Sequence, residues 1–114
     1  MIMKLIVATA VALSFCASAR ADICNGPITA VAVQNDGQLI IRHANKGHWL
    51  LCNVEANGTY ETAAVSSTTC RNWLAVLIAA HKAGTQVSLY TKGLLCKDVG
   101  DWQTPGVYYI EDMG

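Results

Sequence analysis

The sequence predicts a small, mainly β domain with one helix, of the α+β class, in the element order β-β-β-α-β-β and tied by two disulfides. Three observations lead there. Short β-branched and apolar runs alternate with turn-forming Asn, Asp and Gly; one stretch carries apolar residues at helical spacing; and the cysteines beyond the N-terminal segment form an even set, Cys24, Cys52, Cys70 and Cys96.

The elements follow in order. Residues 28–34 form a β-branched, apolar run, Asn35-Asp36-Gly37 follows, and residues 39–42 resume the pattern, so the first two strands pair as a hairpin. Asn45-Lys46-Gly47 makes the next turn, residues 49–54 give the third strand, and Ala56-Asn57-Gly58-Thr59 ends it. Residues 60–65 form either a short extra strand or an ordered loop, and Ser66-Ser67-Thr68-Thr69 offers hydroxyls to cap a helix start. Residues 70–83 are the helix: Cys70, Trp73, Leu74, Leu77, Ile78 and His81 fall on one stripe, Arg71, Asn72, Ala75, Ala79 and Lys82 fall on the other side, and Gly84 stops it. In residues 86–91, Val87, Leu89 and Thr91 alternate with Gln86, Ser88 and Tyr90, a half-buried fourth strand, and residues 107–111 give the fifth.

The N-terminus sets the compartment. Lys4 precedes an apolar run, and Ala19-Arg20-Ala21 places small residues where a signal peptidase needs them, so residues 1–21 are expected to be a cleaved secretion signal and residues 22–114 a single domain. Phe15 before Cys16 argues against lipidation, and the apolar run is too short to span a membrane. Export to the periplasm or beyond the cell suits an even cysteine set. Without Lys4 and Arg20, the eight basic residues fall to six against eight acidic ones, a net charge of −2. Neither that balance nor any Lys/Arg run supplies the basic face that a nucleic acid requires, so no nucleic-acid partner is expected.

No cofactor is expected, and no enzyme. His43 and His48 flank a turn with Lys46, but no zinc motif and no nucleophile elbow accompanies them. A small hydrolase built on that pair is therefore secondary to solvated strand-end histidines, with His81 at the helix C-terminus favourable to its dipole. The aromatic residues offer more. Trp102 sits in the polar segment Lys97-Asp98-Val99-Gly100-Asp101-Trp102-Gln103-Thr104, where its ring either folds back as a lid or meets a ligand. Tyr108 and Tyr109 should point to opposite faces of the fifth strand, one inward and one available to a partner. Trp102 and Tyr108 are the candidate ligand-binding residues.

The order β-β-β-α-β-β is that of the OB-fold, a five-stranded Greek-key barrel. In that barrel the first strand runs antiparallel to the fourth, which favours a Cys24–Cys96 pair and leaves Cys52 for Cys70; three connectivities remain open to sequence. The secreted length, Cys52-Asn53-Val54-Glu55-Ala56-Asn57-Gly58, Cys70 ahead of a helix bearing Trp73, and Ala83-Gly84 leading through Val87 into a strand together resemble the B subunits of AB5-type toxins. The resemblance covers residues 49–90 and points to the subtilase-cytotoxin and pertussis-like typhoid-toxin group. It implies an OB-fold that assembles as a homo-pentamer and binds glycans on host cells or secreted glycoproteins; no binding residue carries over. The expectation is a secreted, non-enzymatic binding domain for a glycan or a protein surface. The alternative is a periplasmic or secreted interaction or inhibitor protein without sugar binding.

Overall fold

In a computed structural model of the chain, which describes residues 21–114, one strand organises everything else: β1 (Ala21–Val33) pairs with two partners in succession. Its first half, from Ala21 to Pro27, runs antiparallel to β6 (Gln86–Lys92), and its second half, from Ile28 to Val33, runs antiparallel to β2 (Gln38–His43). With β3 (His48–Asn53) beside β2 and β7 (Val107–Asp112) beside β6, the sheet order is β3-β2-β1-β6-β7, antiparallel throughout. The secretion-signal reading, residues 1–21, and Cys16 fall outside the described residues except for Ala21, the first residue of β1.

The first strand starts earlier than expected. Gly26 and Pro27, ahead of the expected strand start at residue 28, sit where β1 changes partner. A Cβ on Gly26 would meet that of Ala44 at 2.6 Å, so the close approach requires glycine, and the Pro27 carbonyl accepts from the Ala44 N–H. The region left open at residues 60–65 is a separate hairpin, β4 (Gly58–Tyr60) with β5 (Ala63–Val65), turning at Glu61 with φ 54°. It stands between β3 and the helix, so the order carries two more short strands than expected.

The expected barrel is also an open sheet. The outer strands β3 and β7 do not pair along their length; one parallel bridge, Trp49 with Gln103, joins β3 to the segment before β7. Pro105, which has no N–H, and Gly106, with φ 76°, then break the extended backbone before β7 begins.

The helix α1 (Ser67–Ala83) is capped as the sequence predicts. Ser66 Oγ accepts from the Thr69 N–H at 3.1 Å, and Gly84, at φ 70°, returns its N–H to the Ala80 carbonyl. Its buried stripe is Cys70, Trp73, Leu77 and Ala80, whereas Ile78 is exposed, because the helix lies across the sheet rotated toward Ala80. Between helix and sheet lie Leu39, Ile41, Trp49, Leu51, Leu77, Val87, Leu89 and Val107, each fully buried. Burying a large apolar side chain contributes roughly 1.5–3 kcal/mol, so this layer is the main stabilising term. Both disulfides join as the barrel order favoured: Cys24–Cys96 and Cys52–Cys70. Two such bonds in a domain of this size indicate an oxidising setting, periplasmic or extracellular. No helix among the described residues is long and apolar enough to cross a membrane.

Candidate functional site

The outer face of β1, β6 and β7 carries an aromatic row that follows from the register. Ile23 stands opposite Tyr90, and Tyr90 opposite Tyr109, so three strands present neighbouring side chains on the face away from Cys24, Leu89 and Ile110. Tyr109 meets Tyr90 edge-on with ring centres 4.9 Å apart, and Tyr108 meets the same ring at 6.4 Å. The expectation that one of the two tyrosines turns inward is wrong. Between Tyr90–Thr91 on β6 and Val107–Tyr109 on β7 the register slips by one residue, and this bulge breaks the strict alternation, leaving Tyr108 and Tyr109 both exposed.

Tyr108 and Tyr90 line a cleft of about 490 Å³ together with Ala21, Asp22 and Ile23. Its charged rim is fixed. Asp22 accepts the Ile23 N–H through Oδ1 at 2.8 Å and the Cys96 N–H through Oδ2 at 2.9 Å, and these bonds hold its carboxyl below the ordinary carboxylate range. Lys92 Nζ lies 4.4 Å from the centre of the Tyr108 ring, a cation–π contact. Tyr109 donates to Glu111 Oε2 at 3.2 Å, and the Glu111 charge raises its hydroxyl pKa.

A second aromatic group stands on the loop before β7. Trp102 is 54% exposed and lies flat on the His48 imidazole, ring centres 4.3 Å apart and planes within 8°. It does not fold back as a lid. Backbone bonds anchor it to β3: Trp102 N–H to the His48 carbonyl at 2.7 Å, and Leu50 N–H to the Gln103 carbonyl at 2.9 Å. Asp101 Oδ1 accepts the His48 N–H at 2.7 Å and lies 3.0 Å from His48 Nδ1; the backbone bond first, then the imidazole, lowers the Asp101 pKa. Trp102 itself takes φ 59°, a left-handed conformation that costs a bulky residue on the order of 1 kcal/mol or more and persists because these bonds impose it.

Trp102 and Tyr108 therefore belong to different surfaces, since the cleft that holds Tyr108 is lined without Trp102. The histidines separate likewise. His48 is half-buried against Trp102 and Asp101, whereas His43, expected to be a solvated strand end, is 1% exposed, with Nε2 3.1 Å from the Val87 carbonyl and its ring 5.5 Å from that of Trp49. Strand-end position alone did not reveal that β6 passes behind it. His81, at the helix C-terminus, turns back to place Nδ1 2.8 Å from the Ile28 carbonyl. Among the described residues no group of three or more His, Cys, Asp or Glu could hold a metal ion.

The sequence reading missed Ile23, Tyr90, Asp22 and Asp101 as site residues. The alternation that put Tyr90 on the face away from Leu89 carried a signal for Tyr90, but nothing local announced that Ile23 joins that strand's face, that Asp22 reaches Cys96 or that Asp101 reaches His48. Compared with protein-family models, with curated proteins and with solved structures, the chain matches none.

Proposed function

We propose that this protein is an exported, non-enzymatic binding domain that takes a glycan in the cleft between β1 and β7. The observation that carries this reading is the cleft of about 490 Å³ walled by Tyr90 and Tyr108 and edged by Asp22, with Lys92 over the Tyr108 ring; cleavage before Asp22 would remove only Ala21 from its wall. A sugar ring has an apolar face that packs on an aromatic ring and a hydroxyl edge that needs fixed donors and acceptors, and this cleft offers both within the size range of small-ligand sites. Trp102, with one indole face covered by His48 and the rest exposed, is the second contact for a longer glycan or a neighbouring branch.

The same reading includes the finer fold, an OB-like arrangement of the toxin-B-subunit kind. Support comes from a strand order with β1 central between β2 and β6, the helix between the third and fourth long strands, and a parallel contact from β3 toward the β7 side. Homo-pentamer assembly belongs to that proposal and is tested with it. A second reading, protein recognition without sugar, has its own support: Ile23 in the cleft and Tyr109 next to Tyr90 are exposed on the same face, and such a patch suits a protein partner.

Light scattering on the oxidised protein followed by a glycan array tests both. Glycan binding that disappears in Tyr90→Ala and Tyr108→Ala while the fold persists supports the first reading, with a pentameric mass supporting its assembly. A protein silent on the array, with folded variants indistinguishable from wild type, refutes glycan recognition and leaves the protein-surface reading.

A further inference from the structure

The point where β1 changes partner is held from both sides by histidine. From the end of β2, the His43 ring crosses Gly26 and reaches the Val87 carbonyl on β6; from the end of α1, His81 Nδ1 reaches the Ile28 carbonyl. The Ala44 N–H to Pro27 carbonyl bond, at 2.9 Å, lies between them. Through this corner the half of the sheet carrying the tyrosine cleft connects to the half carrying the Trp102 stack.

The two histidines differ in what a second proton would do. A carbonyl only accepts, so His43 must carry its proton on Nε2 to bond Val87, which leaves Nδ1 bare in the neutral ring. That Nδ1 has no hydrogen-bond partner, and neither does the Nε1–H of Trp49, the ring packed against it. A proton added at Nδ1 would therefore find no acceptor and would bring a charge into a residue 1% exposed, with Trp49, 0% exposed, beside it. His81 already donates through Nδ1, and its other nitrogen belongs to an exposed residue.

We propose that His43 makes the corner of β1 an acid-sensitive joint, closed while the imidazole is neutral and loosened when it is protonated, so that mild acid uncouples the two aromatic surfaces. The surroundings favour the neutral form. β1, β3 and β6 present Gly26, Trp49 and Val87 to the ring, none of them a charge, and Lys46 in the turn after β2 is a positive charge that opposes protonation further. Burial, the largest cause, outweighs the Val87 and Gly26 backbone hydrogen bonds that raise the His43 pKa, and with a smaller push from Lys46 the net direction is down from its ordinary 6.5. The sign follows: the joint is fully stabilised above the ordinary histidine value and weakens as pH falls toward the lowered one.

Imidazole NMR of the full, oxidised protein tests this without any substitution. The expected result is a neutral His43 with its proton on Nε2 that titrates below 6.5, with the Ala44 amide opening more as pH falls after correction for intrinsic exchange. A His43 that titrates at or above 6.5, or an Ala44 opening constant unchanged by acid, overturns the proposal. Denaturant titrations sharpen it. Relative to His43→Gln, the wild type should lose up to about tenfold in its folding constant per pH unit below 6.5. Parallel curves for wild type and His43→Gln refute it.

Discussion

The tyrosine cleft and the Trp102 stack both expose aromatic rings, yet they are held in unlike ways. On the cleft face, Ile23 and Tyr90 line the cleft and Tyr109 stands next to Tyr90 because three strands pair side by side, and their places are secured by ladders whose opposite face is the core. In the loop, Trp102 depends on a few bonds to one strand end: its own N–H on the His48 carbonyl, Asp101 on His48, and the flat ring contact. A site built on register shares the stability of the whole sheet, whereas a site built on a loop opens at the lower cost of its own bonds. The loop should therefore be the softer of the two surfaces.

The largest expected effect would break this contrast, because one bond serves both regions. Cys24–Cys96 ties β1 under the cleft to the chain that leads into the Trp102 loop, across a sequence separation of 72, against 18 for Cys52–Cys70. Chain-entropy estimates give about 4 kcal/mol for the longer loop and about 3 kcal/mol for the shorter. Paired Ala substitutions at Cys24 and Cys96 should lower stability more than those at Cys52 and Cys70 in urea titrations. Equal losses would show that the two surfaces are not joined through this bond.

Next comes Gly106→Ala. Gly106 has φ 76°, and a Cβ there would overlap the Lys92 carbonyl, whose own N–H bonds the Gly106 carbonyl at 2.9 Å. The overlap involves backbone and cannot be relieved by a side-chain turn, so a loss of about 1–3 kcal/mol is expected in thermal unfolding. Because Lys92 also covers the Tyr108 ring, the damage should fall on the cleft first, seen as changed tyrosine shifts with Trp102 fluorescence preserved.

Asp101→Asn should do the reverse. Losing the carboxylate that holds both the His48 amide and imidazole should alter Trp102 fluorescence and speed exchange of the Trp102 amide, while the melting temperature barely moves. A large drop in melting temperature would mean that the loop supports the sheet rather than resting on it.

The smallest effect is acid titration. Asp22 and Asp101 both have pKa values lowered from 3.8 by backbone hydrogen bonds. Their stabilisation is complete above the ordinary carboxyl value and is lost as pH falls through the lowered ones. As pH falls below the ordinary carboxyl value of 3.8 both surfaces should loosen, and Asp101→Asn should remove only the Trp102 part of the change, followed by tryptophan emission.

The sequence by itself determined the local elements, because their signals are local. Asn35-Asp36-Gly37 marks the first hairpin, Ser66 and Gly84 bracket the helix, and Val87, Leu89 and Thr91 are buried as their alternation requires, although Ser88 on the other face is buried as well. Four cysteines beyond the N-terminal segment announced two disulfides, and the antiparallel relation of two distant strands favoured the pairing that forms. Tertiary structure decided the rest. Gly26-Pro27 breaks an isolated strand but suits one that changes partners; the bulge at Tyr108 depends on how β7 meets β6; and His43 is buried because β6 passes behind it. Periodicity and capping involve residues within a few positions of one another, whereas partner exchange, bulges and the burial of a strand end are set by chain segments that meet only after folding.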